Sequence, residues 1–333
     1  MKDIQYSSAN VRIRTYEGRL LDRAFFERLL SVERARDLYP ILLETTYGDF
    51  IEESTSKHDF EKVLLLEQKR TFEQVYELAP VRGVVDIFSL KYDYHNLKVL
   101  VKSWYTKEDL SELIVPFGAF DLNTLKELVQ TRAHKGVPQI LIDCLEEVFS
   151  YIEDYEEVQG IDIIFDNYYW RHFLEVAEQS KEPSFIELSQ RWIDMFNLST
   201  ILRSYLMGRK KGFMHAVMAD GGTIPAAELV EQIHQSLDSL AAYLENTPYR
   251  RVGQLLIEEM KENQTLNHFD LLKDNFIMNY FKEKKIIPFG PSAILGYLYA
   301  KEIEIKNLRM IFIGKINKIP EEKLRSRVRD SYV

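Results

Sequence analysis

Apolar residues along the chain recur at helical spacing. In "DRAFFERLLSVERARDLY", from Asp22 to Tyr39, the residues Phe25, Phe26, Leu29 and Leu30 share one face. Asp22 stands at the N-cap position, where a carboxylate can accept from the first free backbone N–H groups. "DFEKVLLLEQKRTFEQVYEL" opens on Asp59 and continues the period through Phe60, Val63, Leu64, Phe72, Val75 and Tyr76. "PSFIELSQRWIDMFNLSTILRSYL" carries a stripe of Phe185, Leu188, Trp192, Met195, Phe196, Ile201, Leu202 and Tyr205, with Ser184 and Glu187 spaced as a capping box. No stretch alternates with the period of a strand. The pattern predicts an all-α protein.

One feature interrupts this pattern three times. In "YDYHNLKVLVKSWY", Asp93 precedes Asn96 and Leu97 inside a helical run. Asp194, Asn197 and Leu198 repeat the arrangement, as do Glu304, Asn307 and Leu308. The asparagines lie 101 and 110 residues apart. A basic residue follows six positions on in the first two copies, as Lys102 and Arg203, whereas the third has Ile313. "FDNYYWRHF" and "KDNFIMNYF" precede the second and third asparagines, each with a phenylalanine (Phe173, Phe281) six residues after its own Asn (Asn167, Asn275). "RTFEQVYEL" is the weaker counterpart in the first copy, and "LETTYGD" from Leu43 resembles "LENTPYR" from Leu244. A period near 100 residues predicts three similar helical subdomains, 1–107, 108–211 and 212–333.

An acid and an Asn three apart stack on one helix face. Asn costs about 0.5 kcal/mol relative to Ala inside a helix, so its amide needs a partner. The pairs Asp93/Asn96, Asp194/Asn197 and Glu304/Asn307 are therefore expected to be polar packing joints, bonded to the backbone of a neighbouring helix or loop. The competing reading is a ligand site used three times.

Composition narrows the function. With 14 Gly and 10 Pro in 333 residues the chain has few breakers, which suits long helices. A net charge of −9 speaks against nucleic acid as the main partner. The single cysteine, Cys144, excludes an intramolecular disulfide and any cysteine-cluster metal site, and its apolar setting in "ILIDCLEEVF" reads as core. The N-terminal stretch lacks the apolar core of a signal peptide, so the sequons at Asn197 and Asn263 carry no weight. "IIPFGPSAILGYLYA" is too short to span a bilayer. These features fit a soluble cytoplasmic protein.

Catalytic motifs are lacking. No phosphate loop, dinucleotide fingerprint, His-Glu-x-x-His pair or nucleophile elbow occurs. His58-Asp59 has the form of a helical phosphohydrolase dipeptide, but His95, His134, His172, His215, His234 and His268 supply no paired spacing for further ligands. Catalytic, metal and cofactor sites are accordingly expected to be absent. "GRKKGF" places Arg209, Lys210 and Lys211 in a basic turn, either a solvated linker or a docking point for an acidic partner. After Pro320, Glu321 and Glu322 suit the start of a short terminal helix, followed by Lys323, Arg325, Arg327 and Arg329.

A three-unit helical chain with "YEGRLL" and "ETTYGDF" near its start and "KEIEIKNLRMIFIGK" before a basic tail ending in Tyr332-Val333 resembles the C subunits of archaeal and bacterial A/V-type ATPases, the counterparts of the d subunit in the vacuolar enzymes. The resemblance covers essentially the whole chain. It implies three helical domains in a pseudo-threefold funnel that takes the central-shaft D and F subunits in its mouth and sits on the membrane proteolipid ring. It implies a peripheral place on the cytoplasmic face and a role in coupling ATP hydrolysis or synthesis to H⁺ or Na⁺ transport, without catalytic residues. A peptide-binding helical-repeat scaffold is the alternative, although such repeats run to about 34–47 residues. A metal-dependent helical phosphohydrolase is the other.

Overall fold

The computed structural model describes residues 5–52, 59–133, 135–155 and 159–333. Among these, sixteen α-helices and short 3₁₀ turns make up the regular structure, with no strand. In chain order the first eight are α1 (Ser7–Glu17), α2 (Arg23–Leu30), α3 (Leu38–Leu42), α4 (Phe60–Leu78), α5 (Gly83–Thr106), α6 (Leu122–Thr131), α7 (Gln139–Tyr155) and α8 (Gln159–Ser180). The remainder are α9 (Pro183–Leu206), α10 (Lys211–Val217), α11 (Ala226–Gln235), α12 (Leu237–Leu244), α13 (Arg250–Asn263), α14 (Phe269–Lys284), α15 (Ser292–Ile316) and α16 (Glu321–Arg325). The chain divides into two compact units, Met1–Val85 with Asn267–Val333, and Asp86–Leu266.

The first unit is built on α15. Its 25 residues are apolar on most sides, and α1, α2, α4, α14 and α16 all pack against it. Phe60 of α4 stacks on Phe312 of α15 with ring centroids 5.1 Å apart, and Tyr39 meets the same ring at 5.3 Å. Around them Phe26, Leu29, Leu42, Leu64, Leu308 and Leu324 close a core drawn from both ends of the sequence. α15 is long enough to reach across a bilayer, yet Lys301, Glu302 and Glu304 interrupt it. Among the described residues no helix is long and apolar enough to cross a membrane.

The second unit packs α7 on α8 and α8 on α9. Tyr94 and Leu97 of α5 join Leu125, Leu141, Val148 and Phe165 in its core. Cys144 is fully buried there, and burial pushes its thiol pKa well up, which keeps it inert.

The sequence expectations meet the structure unevenly. Asp22 caps α2, accepting from Phe25 N at 2.7 Å. That helix stops at Leu30, because Ser31 Oγ donates to Arg28 O and Arg34 turns extended, so "DRAFFERLLSVERARDLY" is two helices and a 3₁₀ turn. The capping box at Ser184 is not the start of α9. Pro183 occupies the first turn and Glu182 is the N-cap, since proline's fixed φ favours helix entry there. Tyr205 at the end of the stripe is exposed rather than core. α16 begins after Pro320 with Glu321 and Glu322 in its first turn.

Candidate functional site

The three acid–asparagine pairs lie on α5, α9 and α15, and all six side chains are buried. Each asparagine closes a two-bond ring with one loop residue. Asn96 Nδ2 donates to Val115 O at 2.8 Å while Val115 N donates to Asn96 Oδ1 at 2.9 Å. Asn197 makes the same pair of bonds with Ala219, at 2.7 and 2.8 Å. Asn307 makes them with Arg329, at 3.0 and 2.9 Å. An amide side chain presents one donor and one acceptor in a plane, which matches one peptide unit. No apolar residue supplies that match.

The acid one turn earlier collects backbone donors from the same incoming loop. Asp93 accepts from Ala119 N at 2.9 Å and Phe120 N at 3.2 Å. Asp194 accepts from Thr223 N at 3.0 Å, Ile224 N at 3.1 Å, the Thr223 hydroxyl, and Tyr249 OH at 2.6 Å. The loop comes so close that glycine is required next to the donors. A Cβ on Gly118 or Gly222 would stand 2.1 Å from Asp93 Oδ1 or Asp194 Oδ1.

The third joint is completed by the N-terminal segment. Glu304 accepts from Leu21 N at 2.6 Å and from Tyr47 OH at 2.8 Å. Tyr47 plays the part of Tyr249. Thr45 and Thr247 also correspond, each donating its hydroxyl to a leucine carbonyl (Leu42, Leu244) and accepting from the tyrosine N–H two residues on. The likeness between "LETTYGD" and "LENTPYR" is thereby shifted by one residue, since Leu42 rather than Leu43 is the counterpart of Leu244. Leu21 and Tyr47 thus stand toward Glu304 as Thr223 and Tyr249 stand toward Asp194. Further agreement lies at the helix ends, where Lys107, Gly208 and Lys318, each eleven residues after its asparagine, adopt φ of 60°, 62° and 55°. This left-handed residue ends α5, α9 and α15 alike.

Among the described residues, the third joint alone contains a buried lysine or arginine. Lys301 donates to Glu304 at 2.7 Å and to Glu67 of α4 at 3.1 Å. Glu67 also accepts from Thr46 Oγ1 at 2.6 Å and from Arg70. Burial alone would lower the Lys301 pKa, but Glu304 and Glu67 outweigh it and hold the ammonium well above its ordinary value. Burial, then the carboxylates of Glu304 and Glu67, raises the Tyr47 phenol far up, so it remains a donor.

The geometry holds loops: the six joint side chains are buried and bonded to the segments that reach them. Among the described residues, no group of three or more His, Cys, Asp or Glu could hold a metal ion. His58, of the His58-Asp59 dipeptide, lies outside the described residues. In the basic turn, Arg209 and Lys210 are exposed and Lys211 is half-buried. The Arg209 guanidinium lies over the Phe213 ring at 4.9 Å, and Lys211 is ion-paired with Glu231. Tyr205, Leu206 and Met207 beside them are exposed. The sequence pointed to the joint residues through their spacing; it had no signal for Lys301, Glu67 or Tyr47 as their partners.

Replacing Asn197 or Asn307 with Leu removes two bonds and leaves a loop N–H and C=O without partners. Unfolding stability should fall by about 1–3 kcal/mol for each. Melting midpoints measured by calorimetry check this, and unchanged values would mean that the amides are solvated instead.

Comparison with known proteins places this architecture. Residues 9–327 match the family described as ATP synthase (C/AC39) subunit. The chain is 32% identical over 329 residues to the C subunit of the V-type sodium ATPase of Enterococcus hirae, covering 99% of each sequence. It is 27% identical to the C subunit of the A-type ATP synthase of Methanocaldococcus jannaschii, covering 96% of this chain and 85% of that one. Its counterpart in the Pyrococcus horikoshii A-type ATP synthase is 24% identical, over 97% of this chain. The chain belongs to the C-subunit family of V/A-type ATPases. Members of this family are non-catalytic components of the ATPase complex.

Proposed function

We propose that this protein is the adaptor between the central shaft, made of the D and F subunits, and the membrane proteolipid ring, on the cytoplasmic face. It transmits rotation between ATP chemistry in the head and movement of H⁺ or Na⁺ through the ring. The reading rests on one observation above others: the acid–asparagine joint is used three times in one chain, and the third use is closed by the N-terminal segment. Three like units with a closed last joint suit a pseudo-threefold funnel around a rotating shaft. Joints made of buried hydrogen bonds resist shear without any chemistry. Arg209, Lys210 and Lys211, with exposed Leu206 and Met207 next to them, form one contact region in this reading; charge at such a rim acts mainly on association.

Reconstitution in vesicles tests the assignment. A complex lacking the protein should still hydrolyse ATP in its soluble head while ATP-driven ion uptake is lost. Re-adding the purified chain should restore uptake. Uptake that persists without it would exclude the adaptor role, as would head hydrolysis that stops for want of it.

A further inference from the structure

The third copy of the joint differs from the other two in lying beside a groove of about 660 Å³ between α14, α15 and the segment after α16. Lys273, Lys306, Arg309, Arg327 and Arg329 line it, in a chain whose net charge is −9. The repeat shows that four of these cations are unusual, whereas Arg309 has Lys98 opposite it in the first copy. Asp166-Asn167 corresponds to Asp274-Asn275, Asn197 to Asn307, and Ala219 to Arg329 through the shared amide ring. In that register the second copy of the joint has Phe165, Phe196, Val217 and Ala219 where the third has Lys273, Lys306, Arg327 and Arg329. The first copy has His95, Leu113 and Val115 opposite the last three. The joint closes elsewhere with His95 or with apolar residues at these places, so it does not call for these four cations.

Part of the charge is balanced internally. Asp274 is buried and takes Lys306 at 3.0 Å and Arg329 at 2.6 Å, while Arg309 pairs with Glu61 at 2.7 Å. Lys273 stands 3.6 Å from Asp270. Burial would raise the Asp274 pKa, but Lys306, Lys273 and Arg329 hold it below the ordinary carboxylate value. The Arg327 side chain is exposed and has no ion pair or hydrogen bond among the described residues. Leu271, Met310, Ile313, Ile319 and Leu324 give the groove an apolar side, on which Ile313 is 42% exposed.

We infer that this groove docks an acidic peptide segment carrying apolar side chains, supplied by a neighbouring protein of the complex. A small anion needs donors converging on one point. Here the cations are spread over three elements beside exposed Ile313 and half-buried Leu271, Met310 and Ile319, which suits an extended or helical acidic segment better. Only the source of the segment, a neighbour in the complex, rests on the adaptor reading.

Two measurements test it. In the assembled complex, Ile313→p-benzoyl-phenylalanine should photo-crosslink to a segment rich in Asp or Glu from another protein of the complex. The yield should fall at least fivefold on adding Arg327→Glu, which breaks no internal pair, and fall again in 0.5 M salt, where exposed charges are screened. For the isolated chain, the probe is a fluorescein-labelled dodecapeptide of four Glu-Leu-Glu repeats. Its anisotropy should show binding that Arg327→Glu weakens at least fivefold and that a Lys-Leu-Lys peptide lacks. Crosslinking only to lipid or to segments without acids would overturn the inference, as would insensitivity to Arg327→Glu in both assays. Displacement of the peptide by millimolar inorganic phosphate would make this a small-anion site instead. If the wild-type chain joins no complex while the peptide still binds, the adaptor reading falls and the groove stands.

Discussion

Lys301→Met should be among the most destabilising single substitutions in the protein, at about 3–5 kcal/mol. The side chain fits the volume, but the change leaves Glu67 and Glu304 buried without their shared cation, and breaking a buried ion pair from one side costs that much. Glu67 keeps Arg70 and Thr46, whereas Glu304 keeps only Leu21 N and Tyr47 OH. Adding Glu304→Gln to Lys301→Met should therefore recover part of the loss, because a neutral amide no longer demands a counter-charge. Alkaline titration gives a second readout. The folded-state pKa of Lys301 is raised, so its contribution is complete below the unfolded value of about 10.4 and fades as pH climbs through the higher folded value. Lys301→Met should lack this alkaline limb. Equal stability of wild type and Lys301→Met in denaturant titrations at pH 7 would show that the network is not closed in solution.

Asp194→Ala comes next, at about 3 kcal/mol or more. It strands Thr223 N, Ile224 N, the Thr223 hydroxyl and Tyr249 OH, and each buried donor left without a partner costs about 1–3 kcal/mol before relaxation. Asp93→Ala likewise strands Ala119 N and Phe120 N and should also destabilise. A melting midpoint unchanged in Asp194→Ala would contradict the hydrogen-bond arrangement. Gly222 makes the site intolerant of repair, since any side chain there would meet the carboxylate that the loop needs.

Most of the helical architecture was legible from period alone. α4 and α9 run over Phe60–Leu78 and Pro183–Leu206 as their apolar stripes predict. The break after Leu30 was not legible, because Ser31 and Arg34 act through local bonds that leave the apolar spacing undisturbed. The joints were visible because Asn is costly inside a helix and three such costs at one spacing need a common cause. Their partners were hidden for a different reason. Leu21 N is a backbone donor with no sequence signature, and Glu67 looks like any charged residue on an amphipathic helix until Lys301 faces it across the core. Arg327 and Arg329 of the groove read as part of an ordinary basic tail; the register set by Arg329 on Asn307 reveals that they stand where the other copies have Val217 and Ala219 or Leu113 and Val115.

The bond from Leu21 to Glu304 joins residues 283 positions apart. At roughly 5–20 residues per second on a ribosome, the N-terminal helices wait about 15–60 s before α15 emerges. Until then Phe26, Leu29, Leu38 and Leu42 have no α15 to cover them, while the stretch from Asp86 to Leu266 can already assemble around its own loops. The nascent chain thus folds its middle before its beginning. Its first 50 residues are a natural client for a holding chaperone, and early termination before Ser292 leaves an apolar flag for proteolysis on an otherwise folded fragment.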